Sequence, residues 1–145
     1  MTIDEVLRQA RSNLRRMTPA QAWAASNAGA ILVDIRPEFQ RRADGEIPEA
    51  IVIERVHLEW RCDPASLGRI PEASHHHVRW IICCDEGFSS SLAAASLRAL
   101  GLHHATDVID GFRAWRAAGL PYWYPQEPSR PRLYDAGRDG EPAAR

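Results

Sequence analysis

A cysteine at the junction of an apolar run and a helical pattern has the clearest chemical potential in this sequence. Apolar residues 80–83 lead into Cys84, and a serine cluster from Ser89 onwards begins the helical pattern. The N–H groups at a helix N-terminus lack intrahelical partners, so they point at whatever lies before the helix. Such donors stabilise a thiolate, and Gly87 can supply the positive φ that lets the loop curl over the sulfur. The spacing therefore predicts that Cys84 is a nucleophile.

The other two cysteines are predicted to be inert. Cys83 lies inside the apolar run and Cys62 has no comparable loop, so both read as small buried hydrophobic side chains. The odd total of three cysteines, in a chain whose start carries no secretory signal, argues against a disulfide framework. A reducing, cytoplasmic compartment is therefore expected.

Short apolar runs recur along the chain and predict the strands that position the loop. The runs do not alternate with polar residues, as expected of strands that are buried on both faces. Helical patterns lie between the later runs and end at glycines. Strands that alternate with helices favour an α/β fold with a central parallel β-sheet flanked by helices on both faces. The apolar runs occupy residues 31–33, 50–53, 80–83 and 107–109.

Three regions are predicted along the chain. Residues 1–17 open on a capping box formed by Thr2 and Glu5 and carry apolar positions at helical spacing, which indicates an N-terminal amphipathic helix. Residues 18–125 are predicted to form the domain that contains the sheet. Residues 126–145 are rich in Pro, Arg, Gly and Asp, and they are predicted to form a poorly ordered tail.

The charge balance and the composition exclude several classes of partner. The 145-residue chain has a formal net charge of −1 at neutral pH, so no electrostatic field recruits nucleic acid. No apolar run reaches the roughly 18–20 residues of a membrane span, so no membrane partner is expected. His75, His76 and His77 are adjacent and cannot easily converge on one ion, and no second ligand cluster accompanies them. We predict a solvated loop there and no metal site.

Four short motifs follow one another along the chain: Val33-Asp34-Ile35-Arg36, Gly45-Glu46-Ile47-Pro48-Glu49-Ala50, Cys84-Asp85-Glu86-Gly87-Phe88-Ser89-Ser90 and Asp110-Gly111-Phe112-Arg113-Ala114-Trp115. Their order and spacing, within residues 18–121, resemble the rhodanese-like sulfurtransferases. Glu49 and Asp110 stand where that family often has glycine. The resemblance implies a parallel sheet with helices on both faces and a cysteine that passes sulfane sulfur to a nucleophile. It implies no metal and no organic cofactor.

The resemblance also assigns roles to residues around the cysteine. Cys84 would carry the transferred sulfur as a persulfide, received from a small-molecule or protein persulfide donor and passed to a thiol or protein acceptor. Asp34, Arg36 and Arg61 are candidates for supporting positions, although a carboxylate and a guanidinium at a strand end more often fix the neighbouring loops. The substrate-binding residues implied by the loop motif are Asp85, Glu86, Gly87, Phe88, Ser89 and Ser90.

The loop departs from the family pattern in its charge. Many members place basic residues there, which suits an anionic donor such as thiosulfate, whereas Asp85 and Glu86 follow the cysteine here. Two like unit charges about 4 Å apart repel by roughly 1 kcal/mol in water and by about 4 kcal/mol at an effective dielectric constant of 20. We therefore expect thiosulfate to be a poor donor. Arg36, Arg41 and Arg61 are the basic residues considered for offsetting this repulsion.

Two other functions remain open from the sequence. A cysteine phosphatase or arsenate reductase needs an arginine that closes a Cys-x5-Arg loop, and the closing position is Ser90 counted from Cys84 or Ser89 counted from Cys83. A non-catalytic binding or sensing module of the same fold would instead use the acidic loop to dock a partner protein. Thiol reactivity distinguishes this module from an enzyme, because the module need not hold Cys84 as a thiolate.

Overall fold

Four parallel strands form one sheet within residues 1–124, which are the part of the chain that the computed structural model describes. The strand order is β2-β1-β3-β4, and the predicted α/β fold with a parallel sheet is confirmed. The predicted tail, residues 126–145, lies outside the described residues. The strands are β1 (Ile31–Asp34), β2 (Ile51–Val52), β3 (Trp80–Cys83) and β4 (Thr106–Asp107).

Helices connect the strands and cover the sheet. The first two begin with capping boxes in which a threonine hydroxyl accepts the backbone N–H three residues later and the side chain there accepts the cap N–H. A 3-10 turn, Arg55–His57, precedes the fourth helix. The helices are α1 (Ile3–Arg11), α2 (Pro19–Asn27), α3 (Glu38–Asp44), α4 (Leu58–Cys62), α5 (Ser89–Ala99) and α6 (Gly111–Ala117).

The two faces of the sheet carry separate hydrophobic clusters. Successive side chains of a strand point to opposite faces, so Trp80 and Ile82 of β3 pack in one cluster while Ile81 and Cys83 pack in the other. Residues of α4 and α5 belong to the first cluster, and residues of α2 and α6 belong to the second. Helices therefore lie on both faces, as the non-alternating apolar runs predicted.

The N-terminal helix is shorter than residues 1–17. It ends at Arg11, and the Ser12 hydroxyl donates to the Gln9 carbonyl at 2.7 Å, a local bond with which serine competes against helix continuation. Met17 instead pairs with Val108 in a parallel bridge beside the end of β4. The apolar residues at helical spacing therefore continue beyond the end of the helix, because Met17 belongs to an extended segment that pairs with the sheet.

Helix α3 was not predicted from the sequence. Pro37 lies at its N-cap with extended backbone, and Gly45 follows its end with a φ of +112°, so the helix is bounded by residues that stop helices on either side. The helix brings Gln40 to the carboxyl edge of the sheet, next to the loop that begins at Cys84.

Within residues 1–124, none of the helices combines the length and the apolar character needed to cross a membrane.

Candidate active site at the Cys84 loop

Cys84 lies at the carboxyl end of β3, where its sulfur accepts hydrogen bonds from the backbone. The N–H of Gly87 donates to Sγ at 3.1 Å, and the N–H of Ser90, in the first turn of α5, donates at 3.3 Å. These distances are close for sulfur, so residues 84–90, the Cys84 loop, wrap around the atom. Backbone donors of this kind stabilise negative charge on the sulfur.

Two glycines allow the Cys84 loop to pack against the start of α6. Gly87 has a φ of +87°, and a Cβ there would lie 2.6 Å from the backbone nitrogen of Asp110. Gly111 has a φ of +61°, and a Cβ there would lie 2.5 Å from the carbonyl oxygen of Cys84. The first N–H groups of α6 then hold the loop, since Phe112 donates to the Cys84 carbonyl at 2.8 Å.

The carboxylate of Asp107 anchors the loop from behind. Its Oδ2 accepts the hydroxyls of Ser90 at 2.7 Å and Ser91 at 2.8 Å, and its Oδ1 pairs with Arg16 Nε at 2.8 Å. Asp107 is completely buried. The Ser90 hydroxyl therefore points away from the cysteine while the Ser90 N–H points at it, so the residue contributes its backbone to the sulfur site and its side chain to the support.

Two arginines of the N-terminal segment fix the peptide that follows Gly87. The Gly87 carbonyl accepts Arg11 Nη2 at 2.7 Å and Arg16 Nη2 at 3.1 Å. In a trans peptide the carbonyl and the next N–H point in opposite directions, so this anchoring turns the Phe88 N–H away from the arginines. No sequence signal indicates these contacts, because Arg11 and Arg16 also fit the charge pattern of a helix C-terminus.

Replacing Asp107 with alanine is expected to lower the free energy of unfolding by about 3 kcal/mol, because Arg16 and two buried hydroxyls lose their common acceptor. Urea denaturation measures the effect. The control is Glu38→Ala in the exposed Glu38–Arg42 pair, whose side chains are 60% and 47% exposed and whose loss should change stability by less than about 0.5 kcal/mol. Equal effects of the two substitutions would contradict the anchoring role of Asp107.

A cavity of about 230 Å³ opens beside the sulfur. Phe88, 57% exposed, stands on its lining, and the Cys84 side of the cavity is nearly closed, since the cysteine is 5% exposed. The cavity is therefore the space from which a reagent could reach the nearly buried sulfur. The lining residues are Ile35, Arg36, Pro37, Gln40, Cys84, Asp85, Glu86, Phe88 and Ser89.

The two acidic residues of the loop lie close to Arg113, a cation that the sequence analysis does not identify as part of the site. Arg113 Nε lies 2.9 Å from Asp85 Oδ2 and 3.7 Å from Glu86 Oε2. The hydrogen bond that Arg113 donates to Asp85 raises the pKa of Arg113. The side chain of Asp85 is only 15% exposed, whereas that of Arg113 is 66% exposed. Solvent therefore screens part of the attraction by which Arg113 offsets the charge of Asp85.

Asp34 and Arg36 form a buried pair that holds the neighbouring loops. Arg36 Nη2 lies 2.7 Å from Asp34 Oδ2 and donates to the Gly45 carbonyl at 2.9 Å, and the guanidinium lies 4.0 Å from the centre of the Phe112 ring. Burial alone would lower the pKa of Arg36, but the hydrogen bonds and charge of Asp34 raise it. Arg36 also lines the cavity beside Cys84, so it combines support of the loops with a position next to the candidate nucleophile.

The remaining arginines considered from the sequence lie elsewhere. Arg41 pairs with Glu46 at 3.0 Å in a buried position. Arg61 donates to the Gly68 carbonyl at 3.0 Å on the exposed side of α4, and it does not line the cavity beside Cys84. The structure therefore does not bring Arg61 to the cavity, since its guanidinium closes the loop that follows α4.

The other two cysteines differ from Cys84 in exposure and in chemistry. Both are completely buried. Burial raises the pKa of Cys62 to about 12, with a further contribution from the charge of Glu59, and burial raises the pKa of Cys83 well above its usual value. Both side chains therefore stay protonated at neutral pH, which leaves Cys84 as the candidate nucleophile.

No metal centre competes with this site among residues 1–124. That part of the chain contains no group of three or more His, Cys, Asp or Glu side chains placed to hold an ion. His75, His76 and His77 are exposed to solvent.

A doubly covered parallel sheet whose strand-to-helix turn holds a thiol on backbone N–H groups defines an α/β domain with a candidate cysteine nucleophile. Residues 18–118 match the family model of the rhodanese-like domain, and the chain therefore belongs to that family. The family resemblance read from the four motifs is confirmed.

Similar proteins support this assignment. A thiosulfate sulfurtransferase GlpE from Pseudomonas savastanoi pv. phaseolicola is 32% identical over 116 residues, which cover 80% of this chain and 95% of that protein. The structure of a protein of unknown function from Rhodopseudomonas palustris, described as a possible tyrosine phosphatase, is 32% identical with a TM-score of 0.76, and covers 84% of this chain and 94% of its own. A thiosulfate sulfurtransferase from Pseudomonas aeruginosa shares the fold, with a TM-score of 0.67 at 20% identity over 84% of this chain and 22% of its own.

Proposed function

We propose that this protein is a sulfurtransferase that carries sulfane sulfur on Cys84. The observation that carries the proposal is the pair of backbone N–H groups, from Gly87 and Ser90, on the Cys84 sulfur. The same donors that stabilise a thiolate can stabilise the anionic end of a bound persulfide. Relatives named thiosulfate sulfurtransferase add support from outside the chain.

The transfer needs two displacements at sulfur. In the first, the Cys84 thiolate attacks the outer sulfur of a persulfide donor, the donor S–S bond breaks, and the donor leaves as a thiolate with the bonding electron pair. In the second, an acceptor thiolate attacks the terminal sulfur of the Cys84 persulfide, and the Cys84 thiolate is released. Each step exchanges one S–S bond for another, so the cycle needs neither an external oxidant nor a cofactor.

The partners follow from this chemistry. The donor is a small-molecule or protein persulfide, and the acceptor is a thiol or a protein that presents one. All three cysteines are free, which suits a reducing compartment, and we place the protein in the cytoplasm on that ground. The near-neutral formal charge gives no field for nucleic acid or a membrane surface.

Mass spectrometry of the donor-treated protein tests the proposal. One added sulfur atom per chain is expected, removable by cyanide or by a reducing thiol, and fragment ions should locate it on Cys84. Sulfur located on Cys62 or Cys83 would contradict the assignment. A chain that gains no sulfur from any of several donors would contradict the proposal and favour the non-catalytic binding module.

Thiosulfate remains a poor donor in this proposal, although Arg113 moderates the repulsion. The cavity lining contains two carboxylates, those of Asp85 and Glu86, and a single guanidinium, that of Arg36. Arg36 already neutralises Asp34. Arg113 approaches both loop carboxylates from the solvent side. An incoming dianion therefore meets an excess of negative charge that is only partly compensated.

Substituting Asp85→Asn together with Glu86→Gln is expected to raise kcat/KM for thiosulfate severalfold more than kcat/KM for a neutral persulfide donor. Arg113→Gln should act in the opposite direction, because it removes the cation that compensates the two carboxylates. The difference between donors should shrink as salt rises, since screening acts over about 8 to 10 Å near physiological ionic strength. Steady-state kinetics with both donors measures the effect. Equal changes for the two donors would show that the acidic loop does not select the substrate.

A phosphatase activity has weaker support, although one similar structure is described as a possible tyrosine phosphatase. An oxyanion of phosphate type needs a guanidinium at the end of the cysteine loop. Ser90 occupies that place, and its hydroxyl donates to Asp107 at 2.7 Å instead of facing the cavity. A standard aryl phosphate assay is therefore expected to give no Cys84-dependent turnover.

A further inference from the structure

A second cavity, of about 340 Å³, lies at the edge of the sheet opposite Cys84. Ala30 precedes β1, Ile81 lies near the start of β3 and Thr106 begins β4, and all three line this cavity. In a parallel sheet these strand starts share one edge, while Cys84 follows the other end of β3. The cavity beside Cys84 and this one have no lining residue in common.

Three arginines line this cavity without a compensating acid. Arg15, Arg79 and Arg98 line it, and its lining contains no aspartate or glutamate. Within residues 1–124, none of the three lies in an ion pair. Arg79 Nη2 donates to the Ala28 carbonyl at 2.5 Å and Arg98 donates to the His103 carbonyl, but these neutral acceptors leave the charges uncompensated. In a chain with a formal net charge of −1, this is a concentrated positive site.

Thr106 adds a polar group that lacks a partner. Thr106 is one of the lining residues, it is 4% exposed, and its hydroxyl is buried without a hydrogen-bond partner within the described part of the chain. A buried polar atom without a partner is destabilising, so a bound group that reached this hydroxyl would gain a hydrogen bond. Met17, which is only partly buried, supplies an apolar surface beside it.

We propose that this cavity binds a small organic anion, a carboxylate or phosphate carried on an apolar body. The anionic group lies among Arg15, Arg79 and Arg98, which supply charge-assisted donors. The apolar body lies on Met17, and the Thr106 hydroxyl turns to the ligand and gains its missing partner. The volume is at the lower end of the range for small-molecule sites, about 300–1,000 Å³, which favours a ligand of modest size.

A nuclear magnetic resonance titration with phenyl phosphate tests the site directly. Saturable shifts of the backbone amides of Ala105 and Thr106 are expected, with little change at Gly87 and Ser90 in the Cys84 loop. Benzyl alcohol, which keeps the ring and loses the charge, should not saturate. Inorganic phosphate, which keeps the charge and loses the ring, should bind more weakly. Shifts confined to the Cys84 loop, or equal affinity for all three probes, would overturn the proposal.

Arg15→Gln separates binding from folding, because Arg15 is exposed and its side chain makes no hydrogen bond or ion pair within residues 1–124. The affinity for phenyl phosphate should fall about tenfold, the loss expected for one charge-assisted contact. The matched control is Arg42→Gln, also an exposed arginine, which lies on α3, pairs with Glu38 and does not line the cavity. Equal affinity of the two variants would overturn the proposal.

Thr106→Val gives a second signature that a purely structural residue would not show. Valine has nearly the same shape and removes the hydroxyl that lacks a partner, so the melting temperature of the free protein should rise. The affinity for phenyl phosphate should fall about two- to tenfold, because the ligand loses one hydrogen bond. A higher melting temperature with unchanged affinity would overturn the role of Thr106 as a ligand contact.

Discussion

Cys84→Ser is expected to reduce sulfur transfer by at least about a thousandfold, the largest effect among the substitutions considered. A serine hydroxyl can accept the hydrogen bonds of Gly87 and Ser90, so the loop should keep its shape. The hydroxyl is a far weaker nucleophile towards sulfur than a thiolate, and it cannot carry a persulfide. Steady-state kinetics with a persulfide donor and a thiol acceptor measures the loss, and circular dichroism checks the fold.

Cys83→Ser is the matched control for this prediction. Cys83 is adjacent in sequence, completely buried on the opposite face of the sheet, and its thiol lies 3.5 Å from the Cys84 carbonyl, a contact that a serine hydroxyl can reproduce. Transfer should stay within a few-fold of the wild type. A comparable loss of activity in both variants would contradict the assignment of the nucleophile to Cys84.

Gly87→Ala is expected to lower kcat/KM about a hundredfold. The added methyl group would lie 2.6 Å from the Asp110 nitrogen and 2.9 Å from its Cα, both backbone atoms that cannot turn aside. The loop must therefore shift, and the Gly87 N–H moves away from the sulfur. A displacement of about 1 Å at a reacting group can reduce the rate by about 10². The kinetic assay used for Cys84→Ser measures the effect.

Gly119→Ala separates the clash from the backbone strain. Gly119 also has a positive φ, +76°, but nothing lies within 4 Å of the place where its Cβ would be. Its substitution should cost about 1 kcal/mol of stability and leave transfer unchanged. If Gly87→Ala and Gly119→Ala reduced stability equally and neither changed transfer, the close packing of Gly87 on Asp110 would have no role in the reaction.

The sequence predicts the parts of the fold that depend on local patterns. Residues 80–83 read as a buried strand because four apolar side chains in succession suit a sheet covered on both faces. Cys84 read as a loop residue because Gly87 and the serines behind it favour a turn and a helix start. These signals act within a few residues, so a single sequence is enough to reveal them.

The supports of the Cys84 loop could not be predicted in the same way. Asp107 contacts Arg16 from 91 positions away, and Arg113 contacts Asp85 from 28 positions away. No periodicity or turn signal links such positions, because tertiary packing alone brings them together. Arg61 illustrates the converse: its residue type suits a supporting position, but its guanidinium donates to the Gly68 carbonyl and does not line the cavity beside Cys84.

The backbone conformations of Glu49 and Asp110 could not be predicted from residue preference either. Each replaces a glycine frequent in the family, yet both keep left-handed backbone, with φ values of +69° and +61°. Left-handed backbone is unfavourable for such residues by roughly 1–2 kcal/mol. The turn geometry is therefore imposed by the surrounding contacts rather than by the residue at the turn, which residue preference alone would not show.

The contacts of Arg11 and Arg16 with Gly87 show that the segment needed to hold the Cys84 loop begins earlier in the chain than the family match does. The family match begins at residue 18, whereas Arg11 and Arg16, which hold the Gly87 carbonyl, precede it. Transplanting residues 18–118 into another protein would move the nucleophile without the two side chains that hold its loop from behind. Anyone grafting this domain, or trimming it for crystallisation, should keep residues 1–17 attached.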